Sequence, residues 1–579
     1  MTIKLHWIVA LVILANVGSP WAESATPLFD RRVPMRDGVE LSTDVWLPSI
    51  EGTFPAILLR TPYLKAPQFE RYRLANYVKS GYAVVLQDVR GRGDSDGVFD
   101  FYFPEGRDGA DTIEWIAGQS WCNGSVGMCG GSYMGAVQWL AAREKPSHLV
   151  CILPTAASGR MFDELPYVGG ALNLAWALPW LNEVSGRSAQ GASATTLDWM
   201  ALFKHRPLDT ADGALGRSIP LYRAIFDHPM FDDHWKRIQL GEADFETIDL
   251  PALTVTGWFD GDQAGALHYW RGMRTHSPAR DNQYLIIGPW THAETYLGGN
   301  KKVGTLEFTP ESAMDIQAER LRFFEDFLKS DAPAAPPIPR TRVYVTGINE
   351  WREYDEYPPR TVEPTALYLS GDGHANTREG DGRLSWNLPE DEPPDTFRYD
   401  PANPVPSLDT ATDHRSVEMR PDVLVYTSEP LTDPVEILGA VQVLLTAASD
   451  GMDTDFTAKL LDVHPDGKAI ALGPRPTGVK RARFRAGYVA EHFLVPGEPV
   501  SITVDLFDMG HRFLTGHRIR VEISSSDFPG NDPNLNTGLP IGSDVEGRVA
   551  TQTIFHDRER ASHILLPVLP LNPKTEEHE

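Results

Sequence analysis

An α/β domain with a helical insertion, followed by an all-β domain, is the architecture this sequence predicts. Three observations carry it. Buried apolar runs alternate with helical spacing up to about residue 158. An aromatic-rich helical stretch without strand runs follows, from 159 to 249. Many short alternating strands separated by turn residues fill the chain beyond 340. At 579 residues the chain exceeds what one core supports, and 42% hydrophobic with 23% charged residues is the composition of a folded soluble protein.

The elements follow in order. In residues 1–24, Lys4 precedes an apolar run from Trp7 to Val17 and then small residues. The run is too short to span a bilayer and reads as a secretory signal peptide cut near Ala22-Glu23-Ser24, so export to a periplasm or the medium is expected. Residues 25–158 hold the strand runs "GVELSTDVWLP", "PAILLRTPY", "YAVVLQDVRG" and "SVGMCGGS", with helical spacing in "GRDGADTIEWIAGQ" and "YMGAVQWLAAREK". This alternation implies a parallel sheet covered on both faces. In 159–249, "LNLAWALPWLNEV", "TLDWMALFKH" and "PLYRAIFDHPMFDDHWKRI" read as a helical cap. Residues 250–333 return to the sheet with "LPALTVTGWFD" and "NQYLIIGPWTH", then the amphipathic "QAERLRFFEDFLK". "SDAPAAPPIP" is a linker, residues 340–570 form a jelly-roll or sandwich domain, and "NPKTEEHE" is a tail.

Charge and cysteines narrow the function classes. Lys and Arg number 53 against 79 Asp and Glu, a net charge of −26, which disfavours nucleic acid and anionic membranes as partners. Cys122, Cys129 and Cys151 are an odd count without a C-x-x-C, expected to be buried small hydrophobes rather than disulfides or metal ligands.

Chemistry centres on "CGGSYMG", Cys129 to Gly135. A nucleophile elbow needs a strand, a tight turn flanked by small residues, and a helix. Gly130 and Gly131 precede Ser132, but Met134 stands where G-x-S-x-G has its second glycine, which comes one residue later at Gly135. On this ground alone Ser132 is equally a serine that caps the following helix. A nucleophilic serine needs a base and an orienting acid, in the order Ser, acid, His for an α/β-hydrolase. Two later strand ends supply them, with Asp260 closing "ALTVTGWFD" and His292 closing "YLIIGPWTH".

"QDVRGRGDSDG", "SWCNGSVGMCGGSYMG", "GWFDG" and "GPWTH" resemble the cocaine-esterase-like (CocE/NonD) group of the Xaa-Pro dipeptidyl-peptidase family, which includes α-amino acid ester hydrolases and acylases. "VYTSEPLTDPVEILGAVQVLLTAAS", "TDFTAKLLDVHPDG" and "SSSDFP" with "NLNTG" are similar to that family's jelly roll, so the resemblance spans nearly the whole mature chain. The family's serine motif is G-x-S-Y-x-G, which "GGSYMG" matches. The resemblance implies Ser132 as nucleophile, His292 as base then acid, and Asp260 as its orienting carboxylate. It also implies an oxyanion hole from the backbone N–H of Tyr133 and the phenol of Tyr63 in "RTPYLK". The ester hydrolases bind an α-ammonium with acids two and three residues past the triad aspartate. Here Asp262 and Gln263 stand there, with Asp163 and Glu164 as candidates to complete the cluster.

Three motifs have plainer readings. "GRGDS" (Gly91–Ser95) follows a buried strand, and its acids and Arg90 are expected in a salt-bridge network. "DGMDTDF" (Asp450–Phe456) lacks the later glycine and glutamate of a calcium loop. His228 and His234 in "HPMFDDHW" do not share a helix face, so no metal site is expected there. The expectation is a serine hydrolase of small esters or amides, working through an acyl-enzyme without metal or cofactor. Amino-acid ester hydrolysis, β-lactam acylation and dipeptidyl-peptidase activity are alternatives. An exported non-catalytic glycan-binding protein using the jelly roll is the rival of another class. The expected partner is a small-molecule substrate, and self-association is left open.

Overall fold

Ten strands form one sheet in the computed structural model, which describes residues 26–188, 196–299, 301–329, 338–474 and 478–571. The expected signal peptide, tail and most of the linker lie outside the described residues. Across the sheet the strands run Thr26–Pro34, Glu40–Leu47, Ala83–Asp88, Phe54–Thr61, Cys122–Gly131, Leu149–Thr155, Ala252–Phe259, Gln283–Thr291, Thr341–Val345 and Glu350–Tyr354. The central seven pair in parallel and the outer ones antiparallel.

Burial explains the parallel centre. Ala83–Asp88 and Ala252–Phe259 are buried at every position, as a strand covered on both faces must be. Alternate residues divide between two cores. Ala56, Leu58, Val126 and Met128 pack with Trp139 of the helix Tyr133–Arg143 on one face. Ile57, Leu59, Cys129 and Cys151 pack with Phe323 and Phe324 of the helix Ile316–Leu328 on the other. All three cysteines are buried and free.

Between Thr155 and Ala252 the chain leaves the sheet. Helices Leu174–Val184, Trp199–Phe203 and Pro220–Asp227 lie here, and Leu174, Leu178, Tyr222 and Trp235 join the core that holds Ala56 and Trp139. A small hairpin, Tyr167–Val168 with Ala171–Leu172, precedes the helices. Nothing in the sequence marked it, because two residues per strand are too few to show a period.

The later chain forms a second, mostly antiparallel sheet system around its own core, the β-rich jelly-roll part of the expected fold. Its longest pair is Val435–Ser449 with Val500–Phe513. Thr341–Val345, from "RVYVTG", and Glu350–Tyr354 complete the first sheet. A short alternating strand carries no mark of which sheet will receive it, and Val343 and Tyr344 pack with Leu285 and Ile287 of the first sheet.

The plainer motif readings have structural counterparts. Arg90 bridges Asp37 at 2.8 Å and Asp108 at 2.7 Å. Asp453 and Asp455 are taken by Arg483 at 2.7 Å and Arg481 at 2.9 Å. His228 stacks on His234 at 4.0 Å and bonds Asp232 at 2.7 Å.

Candidate active site

The strand Cys122–Gly131 passes directly into the helix Tyr133–Arg143, and Ser132 makes the turn at φ 60°, ψ −128°. A side chain rarely adopts that backbone conformation, and such strain concentrates at functional sites. Its glycines are required by space. A Cβ on Gly131 would sit 1.9 Å from Tyr296 Cε1, and one on Gly135 2.9 Å from Ala157 Cβ. The late glycine of "GGSYMG" is therefore where the following helix meets the next strand's end. Ser132 occupies the N-cap position but makes no side-chain capping hydrogen bond, so the helix-capping reading is not what this serine does. Its backbone N–H donates to Thr155 O at 2.9 Å. The Tyr133 N–H opens the helix, where no intrahelical acceptor exists.

Asp260 is fully buried at the end of Ala252–Phe259. Its Oδ2 accepts from the Thr256 hydroxyl at 2.9 Å, and its Oδ1 from the Asp262 N–H at 3.0 Å. His292 Nδ1 lies 2.7 Å from the same Oδ1. Burial alone would lower the imidazole pKa, but the charge and hydrogen bond of Asp260, helped by Asp262, raise it to about 9. The outward nitrogen, Nε2, is 2.9 Å from the Tyr296 hydroxyl. Ser132, His292 and Tyr296 line one cavity of about 1100 Å³, and Ser407, Leu408 and Pro529 of the later domain close its far side.

Tyr63 follows Pro62 at the end of Phe54–Thr61, and its phenol reaches Ser132. Burial pushes its pKa up, so it stays a neutral donor. Its oxygen accepts from Trp180 Nε1 at 3.0 Å, which leaves the phenolic proton for a second partner. The Tyr133 side chain turns away from the cavity and bonds Phe101 O and, at 2.8 Å, Glu105 Oε1, so only its backbone faces the reaction.

The candidate ammonium acids separate. Asp262 lines the cavity, with Oδ2 3.9 Å from His292 Nδ1. Glu164 is buried, with Oε2 accepting from Gly159 and Arg160 N–H groups at 2.9 Å and Oε1 unpartnered among the described residues. Burial raises the pKa of both carboxyls; the charge of Asp262 raises that of Glu164 further, whereas His292 lowers and Asp260 raises that of Asp262. Asp163 is bound instead to Arg160 and, at 2.5 Å, to Tyr488 OH of the later domain. Gln263, where a second acid would stand, grips Asp508 with its Nε2 on the carbonyl at 3.0 Å and its Oε1 on the N–H at 2.9 Å.

Sequence reasoning missed Trp180 and Tyr296. Trp180 lies in a helix whose aromatics read as packing. Tyr296 stands four residues past His292, a spacing that could have signalled that its ring would turn back onto the imidazole.

Residues 37–294 match the X-Pro dipeptidyl-peptidase (S15) family, and residues 336–565 match the X-Pro dipeptidyl-peptidase C-terminal non-catalytic domain. Over 93% of this chain and 97% of the relative, it is 37% identical to the cocaine esterase of Rhodococcus sp. strain MB1 Bresler. The chain belongs to the S15 family. Among solved structures, an α-amino acid ester hydrolase is 27% identical with TM-score 0.84, covering 96% of this chain and 100% of its own. An aminopeptidase from a marine-sediment Thaumarchaeota archaeon is 26% identical with TM-score 0.81, covering 94% and 97%. This S15 member is a serine hydrolase of the kind that cleaves esters, and the non-catalytic glycan-binding reading falls away.

Proposed function

We propose that this enzyme cleaves small-molecule esters through an acyl-enzyme on Ser132. His292 takes the Ser132 proton as Oγ attacks the carbonyl carbon, and returns it to the departing alcohol. Water then attacks the acyl-enzyme, giving a proton to His292, which passes it back to Ser132 as the acid leaves. Asp260 fixes the imidazole with Nδ1–H inward and stabilises its charged form. The Tyr133 N–H and the Tyr63 phenol receive the negative oxygen of each tetrahedral intermediate. The observation that carries this reading is the 2.7 Å contact of His292 Nδ1 with a buried Asp260, opening onto the cavity that holds a strained Ser132. For turnover, Nε2 exchanges the Tyr296 hydroxyl for Ser132.

A fluorophosphonate probe tests it. We expect covalent mass on the peptide containing Ser132 and loss of ester turnover in proportion. Labelling elsewhere, with full activity retained, would overturn the assignment. Tyr63→Phe should lower kcat by about a hundredfold or more with little change in KM, because the phenol serves a charge that exists only after attack. Equal turnover by the phenylalanine variant would remove Tyr63 from the oxyanion hole.

A second reading is favoured by Asp262 in the cavity wall, with the buried Glu164 close enough to feel its charge; the two carboxyls suit an α-ammonium group on the substrate, as in an amino-acid ester, β-lactam acyl donor or dipeptide. Asp262→Asn should weaken kcat/KM for an α-amino ester by about tenfold or more relative to its desamino match. The same variant should move the acidic limb of the pH profile to lower pH by about one unit. It removes a negative charge that favours the imidazolium of His292. An unchanged limb would show that Asp262 does not act on the base.

Export by the leader read in residues 1–24 completes the proposal. Cell fractionation with the leader deleted should leave the enzyme in the cytoplasm.

A further inference from the structure

Far along the chain from Ser132, one carboxylate gathers imidazoles at the end of the second domain. Asp462 lies at the end of the strand Asp455–Val463, and His464 just beyond it. His517 sits in the turn between Val500–Phe513 and Arg518–Ser524. His511 comes from within Val500–Phe513. His517 Nδ1 is 2.8 Å from Asp462 Oδ1 and 3.0 Å from Oδ2. His511 Nε2 is 3.3 Å and His464 Nε2 3.7 Å from Oδ2.

His511 has a fixed orientation. The Thr346 hydroxyl donates to Gly510 O at 2.8 Å, so its oxygen must accept from His511 Nδ1–H, also at 2.8 Å. That places His511 Nε2 beside the carboxylate on its buried side. His517 supplies a second contact. His464 is the surplus group. At 3.7 Å it is too far for a hydrogen bond and too near for an intervening water.

We propose that Asp462, His464 and His517 bind a divalent metal ion of the zinc class. One ligand atom from each falls within 4.8 Å of the other two. The 3.0 and 3.7 Å separations bracket the edge of about 3.3 Å that a tetrahedron with bonds of about 2.0–2.1 Å requires. Two imidazoles and one carboxylate suit zinc rather than calcium or magnesium, and leave a fourth position for water. The ion takes a lone pair on His517 Nδ1, and the ring carries its proton on Nε2 in the complex. His464 forms the entrance, with 35% of its side chain exposed against 5% for Asp462 and 12% for His517. None of these residues lines the cavity at Ser132, so the ion braces structure rather than chemistry. What it braces is a junction. Thr346 follows the first-sheet strand Thr341–Val345, and its N–H donates to Gly510 O at 3.0 Å while its carbonyl accepts from Arg512 N–H at 2.9 Å.

The test uses untagged full-length enzyme, stripped with chelator and titrated calorimetrically with zinc chloride. We expect about one zinc per chain, and visible d–d bands of tetrahedral intensity when cobalt(II) is substituted. His464→Ala should raise Kd by at least about a hundredfold, since losing only a partner behind a ligand already costs 10- to 100-fold. Far-UV circular dichroism and ester turnover should stay unchanged. His464→Gln, which keeps most of the volume without an imidazole, must match it. No zinc uptake, or uptake unchanged by both variants, overturns the proposal. So does uptake abolished by His276→Ala, which would put the ion at the group formed by Glu242 and Glu246 of the cap with His276 at the end of the helix Gln263–His276.

Discussion

Ser132→Ala is expected to lower kcat for an activated ester by on the order of a millionfold, the loss measured when a hydrolase of this chemistry surrenders its nucleophile. Fold and stability should be unaffected. The Ser132 side chain makes no helix-capping hydrogen bond, so its hydroxyl can go without freeing a helix donor. A capping serine would do the opposite, with about 1 kcal/mol of stability lost and turnover kept. Urea unfolding and stopped-flow turnover on the same variant separate the two cases. His292→Ala in addition should cost almost nothing further, because nucleophile and base act as one unit. A double variant much slower than either single one would show that they act separately.

Asp260→Ala comes next, with an expected loss on the order of ten thousandfold. The asparagine variant is the more instructive. In many triads an amide here can turn its NH2 toward the histidine and force the wrong tautomer. Here the Asp262 backbone N–H points at Oδ1, 3.0 Å away and unable to rotate, whereas the Thr256 hydroxyl at Oδ2 can reverse from donor to acceptor. The amide is thus driven to set its oxygen against His292 and its NH2 against Thr256. Asp260→Asn should keep the tautomer, lose only the charge that stabilises the imidazolium, and run faster than Asp260→Ala. Its imidazole should also titrate well below the value of about 9 that Asp260 sustains. Proton NMR of His292 and the acidic limb of kcat/KM read this directly. Equal rates for the two variants would mean that orientation is not what the N–H at 262 secures.

The sequence was most legible where one local pattern carries one function. Uninterrupted apolar runs ending in Asp260 and His292 mark buried strands whose ends face one edge of the sheet, so their meeting could be anticipated without knowing a single distance. The glycines around Ser132 read as a turn because only small residues fit there. Legibility failed where a side chain has two uses. Trp180 looks like cap packing, and Tyr296 like an aromatic in a loop, until folding sets one on Tyr63 and the other on His292. Asp163 and Glu164 are neighbours in sequence, yet Asp163 turns to Arg160 and Tyr488 while Glu164 lies electrostatically beside Asp262. Nor could the sheet that receives Thr341–Val345 and Glu350–Tyr354 be read, since alternation fixes a strand but not its neighbours. The group at Asp462 was invisible because its ligands are split across more than fifty positions and no spacing rule joins them.

The grip of Gln263 on Asp508 reaches further than its two hydrogen bonds. Gln263 ends the short turn that begins at Asp260, and its own N–H donates to the Asp260 carbonyl at 3.1 Å. The turn that aims the acid is therefore anchored in the portion of the chain whose family description says it has no part in catalysis. A shortened enzyme ending before the linker would keep every reacting group and still lose its aim. The accessory half is the vice in which the tool is held.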